Sequence, residues 1–142
     1  DELERFFSFM INGTEIRFYY EKVFPASETW TGYKEKPDFS VMIGKEVILV
    51  ADAKNWSTGE ASKVPNSAVV EYMHTLSADE GIVLFPNYPK DEFIQTFTHP
   101  KVGGYSRLRF SPSNDPKLIE MRDKSLQYIF ERICLLEKLN SD

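Results

Sequence analysis

Cysteine is nearly absent from this sequence. Cys134 stands alone, so no disulfide can form within the chain, and a reducing, cytoplasmic compartment is expected. Its neighbours follow an apolar helical pattern, where a thiol serves packing. No apolar run approaches the ~20 residues that cross a bilayer, and no signal-peptide pattern is present, so no membrane partner is expected. Histidine is also scarce. His74 and His99 lack the Cys/His spacing of a zinc site. A glycine-rich phosphate loop, a serine-centred elbow and a dinucleotide fingerprint are all missing. So is an excess of positive charge: the formal net charge is -5, whereas a free-standing DNA binder is more often basic. There is no internal repeat or low-complexity tract.

What is there suits one folded domain spanning 1–142. Hydrophobic content is 42% and charged content 27%, ordinary values for a globular chain. Position 1 is Asp rather than Met, which suggests a fragment of a longer protein. Asp1 to Met10 places Leu3, Phe6, Phe7 and Met10 on one face at helical spacing, and its acidic residues suit a helix start, so a helix is predicted there. Asn12-Gly13 breaks that helix or turns the chain. Glu15 to Phe24 is aromatic-rich and reads as a strand. A helix is predicted from Pro65 to about Leu76, with Val69, Val70, Met73 and Leu76 on its apolar side. Gly81 to Pro86 reads as a buried strand and Tyr105 to Ser111 as another; Pro89 to Gly104 between them is loop-like, with a short strand over Glu92 to Thr98 as the alternative. Asp115-Pro116 then caps a long helix over Lys117 to Leu139. Leu118, Met121, Leu126, Ile129, Phe130 and Ile133 fall on its core side. Strand pairs split by a helical crossover predict a mixed β-sheet flanked by helices.

The chemistry concentrates in Lys36 to Asn55, KPDFSVMIGKEVILVADAKN. Two apolar strands surround a turn, and each ends beside a carboxylate. Val47 to Ala51 is unbroken and apolar, as in a strand buried on both faces. Buried charge without a partner is costly, so Asp52 and Lys54 at its end call for a reason. The two side chains point to one side, because they are two residues apart on a strand. With a clean two-residue turn at Gly44-Lys45, Asp38 would face Ala51 and point away from Asp52. A loop or bulge of odd count restores a shared face. Two carboxylates then suit a divalent cation bound through oxygen, and a lysine beside them can steady a water nucleophile or a developing negative charge.

Pro37-Asp38, followed after residues 39–51 by Asp52-Ala53-Lys54, resembles the PD-(D/E)xK motif of the restriction-endonuclease-like nucleases. The resemblance runs from Leu3 to about Phe110. It implies an α/β fold with a restriction-endonuclease-like core, and it implies Mg2+- or Mn2+-dependent hydrolysis of DNA phosphodiester bonds. Asp38, Asp52 and Lys54 would be the catalytic set. Asp38, Asp52 and the backbone carbonyl of Ala53 would hold the metal, joined by Glu4 or Glu2 from the first helix; Glu21 is a weaker candidate. One branch of the family carries Gln-x-x-x-Tyr on the next helix. Here Tyr72 matches the tyrosine, but Ala68 stands where the glutamine would be. Lys63 and Asn66 are candidates for the missing polar contact, and Trp30, Tyr33, Lys34 and Lys36 form a basic and aromatic approach to Asp38. The segment VPNSAVVEYMHTL followed by GIVLFP resembles the nuclease subunit of modification-dependent restriction systems. DNA is the expected substrate. With no reader motif in the chain, a recognition domain, a partner subunit or a second copy is expected to hold it. Two other readings stand beside this one: a nuclease-like module that binds or assembles without cutting, and an unrelated α/β domain with a chance motif.

Overall fold

Asn12 and Gly13 both have positive φ, 50° and 81°, the backbone that closes a tight two-residue hairpin. They join β1 (Arg5–Ile11) to β2 (Thr14–Tyr20) as an antiparallel pair. From Arg5 on, the helix predicted for residues 1–10 is therefore replaced by a strand, and residues 1–3 of that prediction lie outside the described residues. Phe6, Phe7 and Met10 fit helical spacing, but Phe7, Phe9 and Ile11 also alternate. Cross-strand aromatic pairing decides the outcome: Phe7 stacks on Phe18 with ring centroids 5.0 Å apart. The computed structural model describes residues 4–54, 66–86, 92–111 and 114–140.

The other predicted elements are found, and of the two readings of Pro89 to Gly104 the strand over its middle prevails over the loop. β3 (Phe39–Ile43) and β4 (Glu46–Ala53) form the central hairpin, α1 (Ser67–Leu76) crosses over to β5 (Glu80–Phe85), and β6 (Ile94–His99) turns into β7 (Gly103–Arg109). α2 (Pro116–Asn140) closes the described chain. Its start is held as the sequence implies, with the Lys117 N–H donating to Asp115 Oδ1 at 2.9 Å. The seven strands form one sheet in the order β1-β2-β3-β4-β5-β7-β6. β1 to β4 run antiparallel, β4, β5 and β7 are parallel, and β6 returns antiparallel to β7. The chain is thus α/β, with a mixed seven-stranded sheet flanked by helices.

Each face of the sheet has its own core. Val50, Val69, Met73 and Val83 pack under α1, and Ile16, Leu49, Ile82, Leu108 and Ile133 pack under α2. Gly81 lets α1 lie close on β5. A Cβ at that position would meet Met73 Sδ at 2.6 Å and Val69 Cγ2 at 2.8 Å. α2 is anchored by Arg132, whose Nε donates to the buried Glu80 carboxylate at 2.8 Å, and by Ser125, whose hydroxyl donates to the Arg109 carbonyl at 2.7 Å. The predicted inner face of α2 is partly corrected: Met121 and Ile133 are buried, but Leu126 and Phe130 are about half exposed. Among the described residues no helix is long and apolar enough to cross a membrane.

Candidate active site

The hairpin turn is the short one, since Ile43 pairs with Glu46. The register then shifts between Val41 and Met42. Met42 faces Val47 and Val41 faces Leu49, so Ile48 is the extra residue of a β-bulge. Beyond the bulge Phe39 pairs with Ala51, which sets Asp38 across from Asp52 on the face that α1 covers. The odd count required by the sequence argument is supplied within β4 rather than in the turn.

The geometry around the two carboxylates is close. The Ala53 backbone N–H donates to Asp38 Oδ2 at 2.7 Å. Lys54 Nζ stands 2.9 Å from Asp52 Oδ2. The ammonium is a charge partner with poor hydrogen-bond alignment, because Oδ2 of this 6%-exposed residue receives no aligned donor. Burial pushes the Asp38 carboxyl above its usual range, while the Ala53 N–H pulls it down. The Asp52 charge, a hydrogen bond to the Asp52 carboxyl and the Glu21 charge push it up again.

α1 brings a phenol to the same place. Burial pushes the Tyr72 hydroxyl up to about 12, with further contributions from Asp52, Asp38, Glu35 and Glu71. The phenol therefore stays protonated and is a donor at any ordinary pH. Glu35 was not singled out by the sequence. An antiparallel bridge between Phe24 and Glu35 fixes its backbone, and only 7% of the residue is exposed. No hydrogen bond or ion pair reaches its carboxylate among the described residues. Burial, then the Glu71 charge, raises its pKa. Nothing in the local sequence marks Glu35 except its place ahead of Pro37-Asp38.

Other candidates lie elsewhere. Glu4 stands at the start of β1 and pairs with Lys22, away from Asp52. Glu21 lies beside Asp38, its N–H donating to the Asp38 carbonyl at 3.0 Å, and Lys36 Nζ is 3.7 Å from Glu21 Oε2. Glu2 and Lys63 fall outside the described residues. Asn66 does not cap α1 with its side chain. It accepts from Arg107 Nε at 2.9 Å and donates to the Tyr105 hydroxyl at 3.1 Å. Arg107 is 5% exposed, so it braces the start of α1 from β7 rather than facing solvent. Trp30 is exposed, yet its indole N–H donates to the His74 carbonyl at 2.6 Å.

Hard oxygen donors suit Mg2+ or Mn2+, ions that keep several waters and take only one or two carboxylates from the protein. Asp38 and Asp52 meet that description, and the buried, poorly satisfied Asp52 Oδ2 is an atom a cation would satisfy. Among the described residues no group of three or more His, Cys, Asp or Glu side chains gathers to hold a metal. A bound ion would thus complete its shell from the backbone, water or substrate.

No family model matches the sequence, and no curated protein matches it. One solved structure is similar in fold, a chain from an assembly described as a refined half-complex of tetradecameric Thermococcus gammatolerans McrB AAA+ hexamers with bound McrC. The TM-score is 0.55 over 79% of this chain, at 16% identity. This chain spans 28% of the length of that one.

Proposed function

We propose that the chain is a metal-dependent deoxyribonuclease domain with a restriction-endonuclease-like core. The observation that carries this reading is the meeting of Asp38 and Asp52 from neighbouring strands with Lys54 at 2.9 Å from Asp52. Asp38, Asp52 and the Ala53 carbonyl would hold a divalent cation. When bound, that ion neutralises the phosphate and lowers the pKa of water. The chain's own groups supply the rest. The Ala53 N–H fixes the Asp38 carboxylate and so aims its free oxygen. Lys54 offsets the Asp52 charge. Its ammonium would also steady the attacking water or the negative charge growing on the phosphate. Tyr72, protonated throughout, donates to a phosphate oxygen and does not act as a base.

The reading includes a partner. A net charge of -5 opposes non-specific affinity, which comes mainly from neutralised phosphates. The similar solved structure belongs to a multi-subunit assembly, which supports a chain that works beside a subunit or domain holding the DNA. The second reading, a module that assembles without cutting, is favoured by Ala68 standing where the related branch has glutamine.

The test is incubation of DNA with the chain and Mg2+ or Mn2+, with EDTA and Asp52→Ala as controls. Phosphodiester cleavage that requires both the ion and Asp52 is expected. A chain that binds the ion and leaves DNA whole, at high concentration and with Mn2+, would support the assembly module instead.

A further inference from the structure

At the start of β1 and the end of β2, where Glu21 neighbours Asp38, lies a cleft of about 760 Å3. In a chain of net charge -5 it gathers Arg5, Lys22, Lys34 and Lys36 against only Glu4 and Glu21, a local balance of 4 − 2 = +2. Lys22 is structural. It pairs with Glu4, and its ammonium lies 4.8 Å from the Tyr19 ring centroid. The other three cations face outward. Arg5 and Lys36 share the single Glu21 carboxylate at 3.5 and 3.7 Å, and their side chains are 66% and 52% exposed. Loose, exposed pairs of this kind are worth little and are readily redirected. Lys34 has no carboxylate partner among the described residues. The Arg5 guanidinium carbon lies over Tyr20, 4.2 Å from the ring centroid, a contact that holds it without neutralising it.

We infer that Arg5, Lys34 and Lys36, arranged around Glu21, seat the phosphate backbone of the DNA strand that runs into the Asp38–Asp52 pair. The inference deepens the nuclease reading and rests on it for the role of that pair. Its reach follows from the sheet. Glu21 neighbours Asp38, which faces Asp52, and strands lie roughly 5 Å apart. Glu21 is thus roughly 10 Å from Asp52 and Arg5, one strand further out on β1, roughly 15 Å, a span of about three to four base-pair steps along the axis of a duplex. An anion bound there would loosen the grip of Glu21 on two cations and meet three of them. Charge complementarity is therefore local, although the chain as a whole is acidic.

The experiment is a fluorescence-anisotropy titration of a labelled DNA duplex against the whole chain carrying Asp52→Asn, so that nothing is cut. The titration is repeated across salt concentrations. Arg5→Ala, Lys34→Ala and Lys36→Ala are compared with Lys124→Ala, a lysine on the exposed side of α2. Each of the first three should lower the magnitude of the salt slope by about 0.9, the value for one lost phosphate contact. Lys124→Ala should leave the slope unchanged. Arg5→Lys guards against misfolding and should retain most of it. An unchanged slope in the three variants, or an equal fall in Lys124→Ala, overturns the inference. Cleavage by the wild-type chain is scored separately. A chain that shows the expected slopes but never cuts would sink the nuclease reading and leave the backbone seat standing, whereas cutting with flat slopes would sink the seat alone.

Discussion

Ala53 and Asp38 are joined by a 2.7 Å hydrogen bond from backbone to carboxylate, so the strand that carries Asp52 also orients the acid opposite it. Removing either acid should abolish divalent-dependent cleavage. Asp38→Ala and Asp52→Ala are each expected to lose measurable turnover and divalent binding, read by calorimetry, while circular dichroism stays that of the parent. Lys54→Ala should retain the ion and lose about 10²–10³-fold in rate, the usual cost of removing one group that stabilises growing negative charge. Undiminished cutting by Lys54→Ala would take the lysine out of the mechanism.

Two raised carboxyl groups give the metal-free protein a particular pH dependence. Asp38 and Glu35 are both shifted upward from ordinary values of 3.8 and 4.5. A folded state that holds protons more tightly than the unfolded chain loses stability as pH rises from those ordinary values through the raised ones, then levels off. Glu35→Gln should flatten its share of that decline and raise the melting temperature at neutral pH. A variant that melts lower at pH 7 would mean that the Glu35 charge is satisfied in solution.

Tyr72 offers a third check. A spectrophotometric titration should contain one tyrosine ionising at about 12, absent from Tyr72→Phe. The same variant should lose roughly five- to tenfold in cleavage rate, the worth of one hydrogen bond, with divalent binding unchanged. Equal rates would confine the phenol to packing.

Gly81→Ala tests how tightly α1 is set. The added methyl would press on Met73 and Val69, and overpacking of this kind costs about 1–3 kcal/mol. Denaturant unfolding should show that loss. Cleavage should fall beyond it under fully folding conditions, because Tyr72 rides on the displaced helix. A variant as stable as the parent would show that Met73 swings aside freely.

The hairpin was legible because everything that shapes it is local. The apolar run of Val47 to Ala51, the side shared by Asp52 and Lys54, and the need for an odd residue count all follow from strand geometry applied to Lys36 to Asn55. The first hairpin is ambiguous in sequence because Phe6, Phe7 and Met10 fit helical spacing while Phe7, Phe9 and Ile11 fit alternation, and the Phe7–Phe18 stack separates the two. Asn12-Gly13 between two aromatic runs was the signal that outweighs the spacing. Glu35 and Arg107 were not legible as buried groups. Glu35 is fixed by a bridge to Phe24, and Arg107 by Asn66 at the start of α1, and neither contact has a local pattern. The outward turn of Leu126 was hidden because Ser125, a small polar residue, takes the fully buried place and bonds the Arg109 carbonyl.

Ile48 makes the site sensitive to length in an uneven way. It is the extra residue of β4 and is fully buried. Its deletion would remove the bulge and a core side chain, yet leave Phe39 opposite Ala51 and Asp38 across from Asp52. One residue inserted between Leu49 and Asp52 would instead carry Asp52 to the other face of the sheet, away from Asp38 and Tyr72, with every original side chain still present. In drift among descendants of this chain, loss of Ile48 would therefore cost stability and keep the two carboxylates together. Gain of one codon after Leu49 would part them.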